Sequence, residues 1–318
     1  MRNAFAEEIT ALAQTDERIV LLAGDIGNRL FDRFKEACPN RFYNCGIAEA
    51  NMIGLAAGLA MAGFRPVCYT IAPFLTYRCV EQIRVDLCYH HVPVILVGTG
   101  SGLAYASLGA THHSCEEMGM LRLLPHLNVV APADSQEVRG ALRASLQDPN
   151  PTYIRIGKKG EPVVHPSVPA FTLGKAIPMR GGHGQGESDE VALLSTGVML
   201  PTALALADWL KARDIHASVH SFHTVKPLDE NTLHRAFSTA SVVATLEEHS
   251  VLGGLGGSLA EWKADRPELP ARLLRFGTAD EFLHKTCDTE EANAHFGLTP
   301  EALGPRIQQA LAASLNVT

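Results

Sequence analysis

Residues 44–63 read NCGIAEANMIGLAAGLAMAG. The stretch predicts a strand end, a tight turn at Gly46 and a helix of small residues. Ala50, Gly54, Gly58 and Ala62 recur at four-residue spacing and so share one helix face. A face with almost no side chains lets another backbone come very close. Glycine inside a helix costs roughly 1 kcal/mol against alanine, so two on one stripe point to a packing reason. One carboxylate, Glu49, stands at the start of this apolar helix. The helix N-terminus favours its charged form, whereas burial disfavours it. If burial dominates, Glu49 keeps or shares a proton near neutral pH, as acid–base work requires. The position also suits an ordinary first-turn acid on a buried helix, and the stretch taken alone favours that plainer role.

Upstream, apolar positions Phe5, Ile9 and Leu12 have helical spacing, and residues 18–23 form a short buried strand. That strand ends in Gly24-Asp25-Ile26-Gly27-Asn28. An acid directly after a strand sits at the carboxyl edge of a sheet, where α/β folds place ligands. Residues 31–38 predict a short helix stopped by Pro39, and 41–45 the strand that delivers Glu49. Downstream, 65–71 is a strand. Phe74 and Tyr77 lie three apart at a helix start, either as one aromatic surface or, more commonly, as core. Residues 80–89 continue as helix, and 92–98 is an apolar run typical of a parallel strand. Residues 98–113, GTGSGLAYASLGATHH, predict an irregular loop at a strand's carboxyl end, with His112 and His113 at its far side. Its glycine spacing fits no P-loop or dinucleotide fingerprint. Further strands are predicted at 128–132 and 152–156, the latter carrying Arg155, with helices at 116–123 and at 135–146 under a Ser135 cap.

This alternation predicts a parallel sheet covered on both faces over residues 1–162. The region 163–188, with prolines and the run Gly181–Gly186, predicts a linker in which His183 is a loop residue. A second α/β domain follows at 189–318, a size that can fold alone. It has strands at 191–195, 216–221 and 242–247 and helices at 200–213, 229–239 and 258–265. The third strand ends in Glu247-Glu248-His249, before the turn Gly253-Gly254-Leu255-Gly256-Gly257.

The chain has 318 residues, 46% hydrophobic and 19% charged, so sizeable cores can be buried. A net charge of -7 without a basic, aromatic-interleaved run disfavours nucleic acid as a partner. Its longest apolar runs are too short to span a membrane, and no charged start leads into a signal core. The seven cysteines form no CxxC pair, which points to a reducing cytoplasm rather than a disulfide or zinc framework.

Taken together, these residues resemble the transketolase-like family of thiamine diphosphate enzymes. The likeness rests on Gly24-Asp25, on Gly46-Ile47-x-Glu49 with its glycine-rich helix, on Phe74 and Tyr77, and on Thr111-His112. Asn128-Val129-Val130-x-Pro132-x-Asp134, Arg155 and Glu247-Glu248-His249 complete it. It covers the pyrimidine-binding and C-terminal domains. The GDG-type motif followed by an asparagine, which marks the diphosphate- and metal-binding domain, does not occur. The resemblance therefore implies the C-terminal subunit of a split transketolase, completed by an N-terminal subunit that holds the diphosphate and Mg²⁺. An α2β2 heterotetramer with self-pairing is expected.

By this resemblance, Glu49 bonds N1′ of the aminopyrimidine and promotes the imino tautomer that takes the proton from thiazolium C2. The cofactor stores the negative charge of a two-carbon ketol transfer from a ketose or ketose phosphate to an aldehyde. Asp25, Ile47, Ile71, Phe74 and Tyr77 are the further cofactor-binding candidates. His112 faces the substrate and can move its proton. Arg2 and Arg155 match arginines that hold a sugar phosphate. The role of His249 is left open.

Three positions depart from sugar transketolases. Leu108 stands where they carry an aspartate that meets a substrate hydroxyl. Gly100 lies near a family histidine, and Ile71 replaces an aromatic. A leucine there dries the pocket and implies a substrate less hydroxylated than a pentose phosphate, or one modified at its far end. The alternatives are the β subunit of a 2-oxo acid dehydrogenase, a deoxyxylulose phosphate synthase, or a partner-binding subunit without catalysis.

Overall fold

The computed structural model describes residues 1–27, 29–181 and 189–315. Asn28, the 182–186 part of the glycine run and His183 lie outside the described residues.

The first half supplies β1 (Ile19–Ala23), β2 (Phe42–Asn44), β3 (Arg65–Ile71), β4 (Ile95–Thr99), β5 (Asn128–Val130) and β6 (Thr152–Ile156). Their sheet order is β5-β6-β4-β3-β1-β2, and all these neighbours are parallel. Every residue of β1, β4 and β6 is buried, as expected of parallel strands covered on both faces. Along β1 successive residues serve opposite faces. Ile19 and Leu21 pack with Phe5, Ile9 and Tyr69, while Val20 and Leu22 pack with Met52, Ile53 and Ala56 of the Glu49–Met61 helix.

The second half supplies β7 (Ile177–Arg180), β8 (Val191–Ser195), β9 (Ala217–Ser221), β10 (Thr224–Lys226), β11 (Val242–Ser250) and β12 (Arg272–Thr278). Five of these form the sheet β12-β11-β8-β9-β7. The two sheets share a core, because one hydrophobic cluster runs from Leu22, Met52 and Leu96 to Leu194, Phe237 and Trp262.

The structure departs from the sequence reading in four places. Residues 177–180, expected within the linker, form an antiparallel edge strand on β9. This strand contains Pro178, which suits an edge and obscures the strand pattern. β10 crosses to the first sheet and pairs antiparallel with β5, Thr224 opposite Val130. Asp134, not Ser135, caps the Ser135–Gln147 helix, accepting the N–H groups of Gln136 and Glu137 at 2.9 Å. Residues 83–89 wind as π-helix rather than α-helix. All seven cysteines are free thiols.

Candidate active site

Asn44, the last residue of β2, organises the approach to Glu49. Its side-chain oxygen accepts the N–H of Gly46 at 2.9 Å and that of Asp25 at 3.2 Å, and its nitrogen donates to Asp25 Oδ1 at 2.9 Å. One amide thus ties the turn after β1 to the turn after β2. Gly46 is left-handed, with φ +71°, a conformation that glycine adopts without steric cost. The chain then turns into the helix with Glu49 as its first residue, only 4% exposed.

Glu49 meets Arg78, whose Nη1 donates to Oε2 at 3.3 Å. The Arg78 guanidinium also lies over the Phe74 ring, 4.1 Å from its centroid. A planar cation therefore covers the aromatic face and faces the carboxylate at once. The spacing of four between Phe74 and Arg78 in a helical segment is the signal by which sequence could have found this pair.

From Phe74 a row of rings continues. The His112 ring lies edge-on to Phe74 at 5.2 Å, and Tyr105 lies edge-on to His112 at 5.8 Å. Lys158 closes the row, its ammonium 4.4 Å from the Tyr105 centroid. His112 Nδ1 is 2.9 Å from Thr111 Oγ1. Burial, then the neighbouring His113, Arg78 and Lys158, pushes the His112 imidazole below its ordinary pKa. The neutral ring can both donate and accept a proton. Sequence reasoning missed Tyr105 and Lys158. Lys158 follows β6 as Asp25 follows β1, at the sheet's carboxyl edge, and that position was readable. Tyr105 sits in an irregular loop with no periodicity to mark it.

The remaining candidates divide. Asp25 is exposed beside Asn44, Ile71 is half-buried where β3 ends, and Ile47 is 77% exposed. Tyr77 directs its hydroxyl to Glu116 Oε2 at 2.5 Å. Arg2 is half-buried and lies close enough to Tyr69 and Tyr105 to influence both phenols. Gly100, with φ +73°, has no room for a side chain, because the Tyr105 ring fills that space. Leu108 is 51% exposed, so it lines no dry pocket within this chain.

Arg155 is largely internal. It is 5% exposed, with Nε 2.9 Å from Glu117 Oε1 and Nη2 bonded to the carbonyls of Ser114 and Glu248. Its bond to the Glu248 carbonyl ties the first half to the second, and its side chain also lines a small cavity with Ser101 and Gly157.

His249 is equally internal. Its Nδ1 donates to the Ser250 carbonyl at 2.8 Å and its Nε2 accepts the Gly119 N–H at 3.2 Å. Burial lowers its pKa to about 4, so the ring is neutral and its 3.8 Å approach to Glu247 is no ion pair.

A buried acid beside an aromatic face suits an aminopyrimidine, which needs one hydrogen-bonding partner and one stacking surface. Glu49 and Phe74 would hold that ring. The described residues contain no cluster of three or more His, Cys, Asp or Glu able to hold a metal ion. No described helix is long and apolar enough to cross a membrane.

Comparison with known proteins accords with this geometry. Residues 1–161 match the family described as transketolase, pyrimidine binding domain, and residues 183–303 match transketolase, C-terminal domain. The chain is 34% identical over 304 residues to the 6-deoxy-6-sulfo-D-fructose transketolase subunit SqwH of Clostridium sp. (strain MSTE9), covering 95% of this chain and 92% of that one. It is 32% identical to a subunit of the apulose-4-phosphate transketolase of Phocaeicola vulgatus, covering 95% and 94%. Among solved structures, a split gene transketolase described as an inactive beta4 tetramer superposes with a TM-score of 0.86 at 32% identity, covering 98% and 97%.

Proposed function

Since the chain belongs to the transketolase family, as a C-terminal subunit of the split type, we propose that it supplies the proton-handling and substrate-facing half of a ketol-transfer site. The observation that carries this reading is Glu49, buried at a helix start and paired across Phe74. Thiamine diphosphate, when bound, supplies the electron sink for two-carbon transfer. The Glu49 carboxyl holds the proton shared with N1′ of its aminopyrimidine, and Phe74 offers the stacking face that Arg78 covers in this chain. His112 donates to or accepts from the substrate oxygen. Lys158 and Arg2 take the anionic end of a sugar phosphate or comparable acid. Among the described residues neither cation pairs with a carboxylate.

The diphosphate and Mg²⁺ are assigned to a partner subunit. The open face of the Glu49–Met61 helix supports assembly. Gly58 has nothing within 4 Å of an added Cβ, and Leu55 (42% exposed) and Met61 (56% exposed) flank the stripe. A deoxyxylulose phosphate synthase is less well supported, because one from Azoarcus sp. aligns over only 44% of its own length. The test is to assay the purified chain with thiamine diphosphate, Mg²⁺ and a ketose donor, alone and with its co-expressed partner. Ketol transfer by the complex only is the expected result, and transfer by the single chain overturns the division of labour.

A further inference from the structure

The loop 98–113 carries one polar group to which ketol transfer as described gives no task. Tyr105 is 9% exposed, and no described residue hydrogen-bonds its hydroxyl. Three contacts fix its ring. His112 meets it edge-on, Lys158 lies over its face, and the bare backbone of Gly100 makes room for it. A side chain at residue 100 would collide with this ring, so the two positions are mutually exclusive as sources of a functional group. Nearby, Leu108 contributes no polar atom.

We propose that Tyr105 is a specificity-determining residue, its phenol donating a hydrogen bond to an acceptor oxygen of the substrate one or two carbons beyond the reacting carbonyl. The placement follows from the row of rings. Glu49 and Phe74 mark the cofactor end, His112 meets the reacting oxygen, and Tyr105 comes next on the way to Lys158. Burial raises the phenol's pKa, partly offset by Arg2, so it remains a neutral donor at physiological pH. The substrate class this selects has an oxygen-bearing carbon chain ending in an anion. A donor with no protein partner, once a bound substrate excludes water from it, discriminates against substrates that leave it unpaired.

The inference rests on the ketol-transfer reading, and the experiment separates the two. Tyr105→Phe keeps the ring, its contact with His112 and the seat for Lys158, and removes only the hydroxyl. In the co-expressed complex, kcat/KM is measured with ribose 5-phosphate and with glycolaldehyde as acceptors. The expected result is a roughly tenfold loss for ribose 5-phosphate with little change for glycolaldehyde. An unchanged ratio in an active, folded variant overturns the role of Tyr105 and leaves the ketol-transfer reading intact. An equal loss on both acceptors also overturns it and makes Tyr105 a packing residue. A wild-type complex inactive with every ketose donor overturns both readings.

Discussion

The side chain of Glu248, on β11, accepts the backbone N–H of Leu103 at 2.9 Å across 145 residues of sequence. This bond fastens the loop that carries Tyr105, Leu108 and His112. Thr289 adds a bond to the Leu103 carbonyl at 3.4 Å, and Leu103, Ala106 and Cys115 pack against Leu283, Cys287 and Ala292. The C-terminal half thus sets the position of a loop it does not contain. Glu248→Ala leaves a buried N–H unpaired, at a cost of about 1–3 kcal/mol. Amide hydrogen exchange across residues 100–113 should accelerate while that of β1 stays slow. Unchanged exchange in the loop would show that packing alone holds it.

Glu49→Gln retains the shape and a hydrogen-bonding oxygen and removes the transferable proton. The complex should assemble normally. Hydrogen–deuterium exchange at C2 of bound thiamine diphosphate should slow by about 10²–10⁴-fold, the usual contribution of an acid–base group. A rate within a few-fold of wild type makes Glu49 a packing residue.

Arg78 is half exposed, so its bond to Glu49 is screened by solvent and contributes on the order of 1 kcal/mol. A double-mutant cycle of Arg78→Met with Glu49→Gln, read by urea denaturation of the isolated chain, should return a coupling energy of that size. Additive effects would mean that the two side chains do not interact in solution.

His249 makes stability depend on pH. Its folded pKa of about 4 lies below the ordinary 6.5, so between these values the unfolded chain binds more protons. Its contribution is present above pH 6.5 and is lost as pH falls through about 4. The full effect is on the order of 3 kcal/mol. Glu247, raised by burial to about 7, acts with opposite sign: its contribution is present below 4.5 and lost as pH rises through 7. His249→Gln should therefore flatten the loss of stability between pH 6.5 and 4, measured by urea denaturation at several pH values. An unchanged slope would mean that His249 binds its proton equally well in the folded and the unfolded chain.

Leu108→Asp tests the apolar substitution in the same loop. Leu108 is half exposed here, so it meets substrate only if the assembled complex closes over it. The ratio of kcat/KM for ribose 5-phosphate over glycolaldehyde should rise in the variant complex, because an added carboxylate accepts a substrate hydroxyl. A static ratio in a folded variant removes Leu108 from the substrate's path.

The alternation of apolar strands and helices was legible because parallel strands are apolar along their whole length, as in β1 and β4. Glu49 was legible as a lone acid on an apolar helix. What escaped has specific causes. β7 and β10 are short edge strands of four and three residues, and Pro178 blurs the pattern in one of them. The internal partners of Arg155 were not legible, because sequence marks charge but not direction. Its partner Glu117 is 38 positions away and its carbonyl partner Glu248 is 93. Tyr105 depends on the emptiness of Gly100, a relation between two loop residues that no periodicity records.

The crossing of β10 onto β5 also has a consequence for synthesis. Residues 128–130 gain β6 as one neighbour soon after they are made, but the segment that closes their other edge, Thr224–Lys226, follows roughly 90 residues after them. At common rates of elongation that interval lasts about 5–20 s. Throughout it the nascent first sheet presents unpaired N–H and C=O groups beside apolar Val129 and Val130, the kind of edge on which neighbouring chains on a polysome add strands. The first half of this protein is therefore unfinished when its own sequence has been made, and translation of the second half is the last step of its folding.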